Sequence, residues 1–130
     1  MTYKLLVLEG ITDKGKAVLD AEGWTLDQKK AMPPAELAQI IGDYDAVTIR
    51  SGTKITAEVI AAAKKLRVIG RPGVGVDNVD VEAATRAGIA VHSWVIDEIA
   101  DIRTVVEWGV TGVISDRPEV AIRTVAEFTN

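Results

Sequence analysis

The chain has no cysteine, which excludes disulfide scaffolds, zinc–thiolate sites and thiol catalysis. Histidine occurs once, at His92, so a metal site built on several imidazoles is also excluded. No apolar run approaches the length of a membrane span. Positive charge is scarce. Fifteen Lys and Arg face nineteen Asp and Glu, a formal net charge of −4. Residues 1–65 carry nine of each sign, so the acidic excess lies wholly in residues 66–130. Without a clustered basic face, a nucleic-acid partner is set aside. Met1-Thr2-Tyr3-Lys4 runs directly into a strand-like segment without the layout of a signal peptide, and the expectation is a soluble cytoplasmic protein.

What is present fits one globular domain over residues 1–130, with 48% hydrophobic and 26% charged residues. Short β-type runs recur at Lys4–Leu8, Trp24–Leu26, Ala46–Ile49, Arg67–Ile69, Ile89–Val91 (continuing toward Val95) and Gly112–Ile114. Helical spacing fills the intervals: Asp13–Glu22, Pro34–Ile41, Ala57–Lys65, Asp80–Ala87, Glu98–Trp108 and Arg117–Phe128. Strands dense in Val, Leu and Ile, alternating with amphipathic helices, predict an α/β fold. The expected form is a doubly wound parallel sheet of about five to six strands with helices on both faces. Thr56 is a candidate N-cap, and Gly23, Gly42, Gly88 and Gly109 each follow a helix where a left-handed residue is favoured. Trp24–Leu26 and Gly112–Ile114 are the expected sheet edges.

In such a sheet, ligands bind outside the carboxyl ends of the strands. Those ends carry Glu9-Gly10, Arg50-Ser51-Gly52, Arg71-Pro72-Gly73-Val74-Gly75, Ser93-Trp94 and Ser115-Asp116. Two arginines, serine hydroxyls and a glycine turn suit a small anion such as phosphate. The plainer reading is that Gly73 and Gly75 only permit a tight turn while Arg50 and Arg71 pair with nearby acids. Gly73-Val74-Gly75-Val76-Asp77-Asn78 begins like a dinucleotide fingerprint, but Asn78 stands where the third glycine belongs, which argues against a nicotinamide site. His92 reads as an ordinary structural residue or as a base near Ser93 or Asp97. Asp97, Glu98 and Asp101 read as helix-start acids or as metal ligands, and Trp94 as packing or as a pocket wall.

Three blocks carry a resemblance to a known family: Val47-Thr48-Ile49-Arg50-Ser51-Gly52-Thr53-Lys54-Ile55-Thr56, Lys65 through Asp80, and Glu82 through Ile89. From Leu5 to about Val91 the chain resembles the substrate-binding domain of D-3-phosphoglycerate dehydrogenases and related D-2-hydroxyacid dehydrogenases. The resemblance implies a flavodoxin-like sheet. It also implies that Arg50, Ser51 and the backbone of Gly73, Val74 and Gly75 face a substrate's phosphate and carboxylate. Pro72 replaces that family's usual small residue.

From about residue 90 to 130 the pattern changes. Ala90 through Asp97 and Gly109 through Glu119 resemble the last two βα units of glycerophosphodiester phosphodiesterases, which are eight-stranded barrels. That likeness implies a pocket-mouth role for Trp94. Together the two resemblances are read as an engineered chimera. It is expected to be a non-enzymatic scaffold with no catalytic residue, no cofactor and no metal, and with at most weak anion affinity. The alternative is an isolated substrate-binding domain that still captures 3-phosphoglycerate or phosphate. A third possibility is a dehydrogenase completed by a partner chain.

Overall fold

The computed structural model describes residues 2–10, 13–72, 78–94, 99–107, 109, 112–114 and 117–129. Strands β1 (Lys4–Leu8), β2 (Thr25–Lys29), β3 (Ala46–Thr48), β4 (Val68–Pro72), β5 (Ala90–Trp94) and β6 (Gly112–Ile114) form one sheet in the order β2-β1-β3-β4-β5-β6. Every pairing is parallel. Helices α1 (Asp13–Ala21), α2 (Pro34–Ile40), α3 (Ala57–Ala62), α4 (Val81–Arg86), α5 (Ile99–Glu107) and α6 (Pro118–Thr129) alternate with the strands. This is the doubly wound α/β arrangement that the alternation predicts, in the flavodoxin-like form that the resemblance implies.

Side chains on a strand point alternately to the two faces, and the core divides accordingly. Leu6, Leu8, Val47, Ile49 and Ile69 join Leu37, Val59, Ile60, Val81 and Ala84 of the helices in the larger cluster. Their neighbours Leu5, Val7, Ala46 and Val68 turn the other way, toward Leu19 and Trp24. A third, smaller cluster gathers Val106, Val120 and Val125 around buried Ile102. The near-continuous apolar strands thus serve two cores at once.

Most of the expected local signals act, and Asp80 adds a cap that the sequence reading does not name. The Thr56 hydroxyl caps α3 by accepting from the Val59 amide at 3.4 Å, and Asp80 caps α4 by accepting from the Ala83 amide at 2.9 Å. Gly23, Gly88 and Gly109 take positive φ after their helices. Gly42 does not, because α2 tightens into a short 3-10 turn at Ile41–Asp43 instead of stopping. β2 starts one residue later than the apolar run and continues through Asp27, Gln28 and Lys29, since pairing with β1 supplies the order that its polar side chains do not.

Candidate functional site

In the order β2-β1-β3, the chain leaves β1 toward one edge and returns to start β3 on the other side. The topological switch point, where such sheets place their ligands, therefore lies outside the carboxyl ends of β1 and β3. Glu9-Gly10 and Arg50-Ser51-Gly52 emerge there.

Arg50 and Ser51 are exposed on the turn after β3, while Thr53 is wholly buried at its far end. The Thr53 amide faces the Arg50 carbonyl at 3.5 Å. One side chain from another segment holds this turn. Asn78 Nδ2 donates to the Arg50 carbonyl at 2.9 Å and to the Thr53 carbonyl at 2.6 Å, while Asn78 Oδ1 accepts from Arg71 Nε at 3.3 Å. Backbone bonds extend the clamp: the Ile55 amide donates to the Asn78 carbonyl and the Asp80 amide to the Ile55 carbonyl, both at 2.8 Å. Beside it, Lys54, Thr56, Asn78 and Asp80 line a cavity of about 360 Å³.

From the sequence, Glu9 reads only as part of the rim. It adopts φ 73°, the one non-glycine residue at positive φ among those described. Its carboxylate rests against Gly52, and its Oε2 is buried without a hydrogen-bond partner. The Thr53 hydroxyl is likewise buried without a partner.

The structure thus brings together Arg50, Ser51, Gly52, Glu9, Asn78 and Arg71. Gly73, Val74 and Gly75 lie outside the described residues, as do Asp97, Glu98, Ser115 and Asp116. Trp94 closes β5 opposite Pro72 and Ile114, and its side chain is not among those described. His92 sits within β5, paired with Gly70 and Gly112, and Asp101 falls in the first turn of α5. Among the described residues no group of three or more metal-ligating side chains converges, and no helix is long and apolar enough to cross a membrane.

Two features lie away from the rim. Tyr3, Trp24, Asp45, Ala46, Arg67 and Val68 line a more apolar cavity of about 290 Å³ near the strands' amino ends. The Tyr44 hydroxyl donates to Asp27 at 2.6 Å, and Lys4 stands 3.6 Å from the same carboxylate. The Tyr44 bond, aided by Lys4, holds the Asp27 carboxyl below its usual range. Burial, with the Asp27 bond second, pushes the Tyr44 phenol up. We assign this cluster to stability.

Residues 5–94 match the model of the D-isomer specific 2-hydroxyacid dehydrogenase catalytic domain. The chain belongs to that family. The D-3-phosphoglycerate dehydrogenase of Archaeoglobus fulgidus is 46% identical over 88 residues, covering 68% of this chain and 17% of that protein. The human D-3-phosphoglycerate dehydrogenase is 43% identical over the same length, covering 68% and 16%. Among solved structures, a protein from Pyrococcus horikoshii superposes with TM-score 0.68 at 30% identity, covering 83% of this chain and 31% of that one. An NAD+-bound 3-phosphoglycerate dehydrogenase from Entamoeba histolytica gives 0.64 at 27% identity, covering 72% and 33%. The chain spans about one sixth of the length of these curated relatives.

Family membership corrects two expectations. The reading as an engineered, inactive scaffold is overturned, and so is the reading as a non-enzymatic protein: the match is to an oxidoreductase family. Nothing in the comparisons shows a phosphodiesterase segment or a junction between families. The physical reason is that an apolar strand followed by an amphipathic helix looks alike in open sheets and in barrels. Here β6 simply pairs with β5 as one more parallel strand.

Proposed function

We propose that this chain is the substrate-binding portion of an oxidoreductase acting on a D-2-hydroxyacid of the 3-phosphoglycerate class. The observation that carries the reading is the coincidence of two things at one place. The dehydrogenase family match spans residues 5–94, with a D-3-phosphoglycerate dehydrogenase 46% identical over 88 residues, and the Arg50-Ser51 turn inside the matched span stands at the switch point of the sheet. Arg50 supplies a fixed positive charge with a planar donor fork suited to phosphate or carboxylate, and Ser51 a hydroxyl donor. On the dehydrogenase resemblance, the backbone of Gly73, Val74 and Gly75 would add amide donors. The Asn78 clamp holds the turn before a ligand arrives, so little ordering cost is left for binding.

The redox chemistry of such an enzyme calls for a nicotinamide. The residues present do not fit one. Asn78 occupies the position of the fingerprint's third glycine, and its amide is committed to the Arg50 and Thr53 carbonyls. No step through that cofactor is therefore assigned to this chain, whose part is capture and orientation of the acid.

Titration calorimetry with 3-phosphoglycerate and with inorganic phosphate tests the reading. Saturable heat that is lost in Arg50→Ala is expected. Heat unchanged by that substitution would place the anion elsewhere.

A further inference from the structure

We infer that Glu9 is a positioning residue that holds the Arg50–Thr53 turn in its anion-binding shape through contact with Gly52. The inference rests on the functional reading above and adds a residue to that site.

Two costs meet at Glu9. A side-chain-bearing residue at φ 73° is strained where glycine would be at ease, and a buried carboxylate oxygen without a partner forgoes its hydrogen bonds. Strain of this kind persists only where the surroundings over-determine it, and it gathers at functional sites. The backbone shows what fixes it. The Glu9 amide still donates to the Lys29 carbonyl at 3.2 Å, which extends the β1–β2 ladder, while Gly10 turns sharply away at φ 102°.

The side chain then meets the turn after β3. A methyl group at residue 52 would overlap the Glu9 carboxylate, with Cδ 3.1 Å from its position, so any side chain at 52 would push the Glu9 carboxylate out of this contact across the switch point. The turn is thus gripped from two sides. Asn78 binds the carbonyls at its ends, and Glu9 bears on its middle. The buried, unpartnered Thr53 hydroxyl closes the same turn. A negative charge here opposes an incoming anion, so the contribution of Glu9 is its shape, and its charge is a tax on affinity.

Shape and charge therefore separate by substitution. Glu9→Gln keeps the shape and removes the charge; Glu9→Gly suits the backbone and removes the contact. Hydrogen exchange of the amides at residues 50–53 and calorimetry with 3-phosphoglycerate and inorganic phosphate are measured together. The set is the wild-type chain, both variants, Gly52→Ala and the double variant Glu9→Gly/Gly52→Ala. Glu9→Gly is expected to melt no lower than wild type, to speed exchange in the turn by about tenfold, and to weaken binding severalfold. Glu9→Gln is expected to keep wild-type exchange and bind both anions more tightly. Gly52→Ala, which displaces the Glu9 carboxylate, should weaken binding about as Glu9→Gly does, and the double variant should show no further loss. Wild-type exchange rates in both Glu9→Gly and Gly52→Ala would overturn the inference, as would Glu9→Gln weakening binding as much as Glu9→Gly. If the wild-type chain binds neither anion, the functional reading fails and the anion-positioning role falls with it, while the exchange data still decide whether Glu9 grips the turn.

Discussion

Replacing Asn78 by alanine removes the donor shared by the Arg50 and Thr53 carbonyls. Their costs differ. Arg50 is exposed, so its carbonyl turns to water at little expense. Thr53 is 0% exposed, and its carbonyl loses a 2.6 Å bond. An unsatisfied buried acceptor costs about 1–3 kcal/mol, and loss of the Arg71 contact adds a fraction more. The expected total is about 1–3 kcal/mol, which lowers the melting temperature of a domain this size by roughly 5–10 °C. Asn78→Asp sharpens the test. It keeps the volume but turns an acceptor toward two carbonyls, a repulsion that pairing with half-exposed Arg71 offsets only in part. Urea titration followed by far-ultraviolet circular dichroism ranks the three chains as wild type, then Asn78→Ala, then Asn78→Asp. An alanine variant within about 0.5 kcal/mol of wild type, the scatter of ordinary surface substitutions, would refute the clamp. So would an aspartate variant more stable than alanine.

Two further outcomes follow from the core and from the Tyr44 cluster. Ile69 is 0% exposed in the larger core, so Ile69→Ala should cost about 2–5 kcal/mol in the same titration. Ile122→Ala, at a site 71% exposed, should stay within about 0.5 kcal/mol. Because the Asp27 carboxyl is held below its unfolded value of 3.8, its contribution is complete above that pH and is lost as pH falls through the folded value. Asp27 is partly exposed, so screening limits that contribution to under about 1 kcal/mol. Tyr44 is shifted upward, so above its unfolded value of 10.0 the unfolded chain gives up a proton that the folded one keeps, and stability falls as pH rises. Tyr44→Phe should flatten both slopes in melts taken across pH, and slopes unchanged by that substitution would count against the cluster.

Most of the architecture was readable because apolar runs and helical spacing alternate without conflict, so local and tertiary preferences agree. Leu5 and Val7 face one core while Leu6 and Leu8 face the other, as a two-sided parallel sheet requires. The polar half of β2 was missed, since Asp27, Gln28 and Lys29 owe their strand to an edge pairing that no local pattern announces. The position of the rim was legible from strand ends, but its construction was not. Asn78 reads as a missing glycine until its amide is seen to reach 28 residues back to Arg50. Glu9 reads as an ordinary rim acid until its positive φ and its contact with Gly52 are known. Residues 90–130 mislead in the sequence because two short βα units carry a pattern too widely shared to name a family.

Amide shift mapping by NMR during titration with 3-phosphoglycerate tests the central claim most directly. The account places the saturable shifts at Glu9, Gly10, Arg50–Thr53 and Asn78, around the carboxyl ends of β1 and β3. Shifts confined to Tyr3, Trp24, Asp45 and Arg67 at the strands' amino ends, or no shifts at ligand excess, would contradict it.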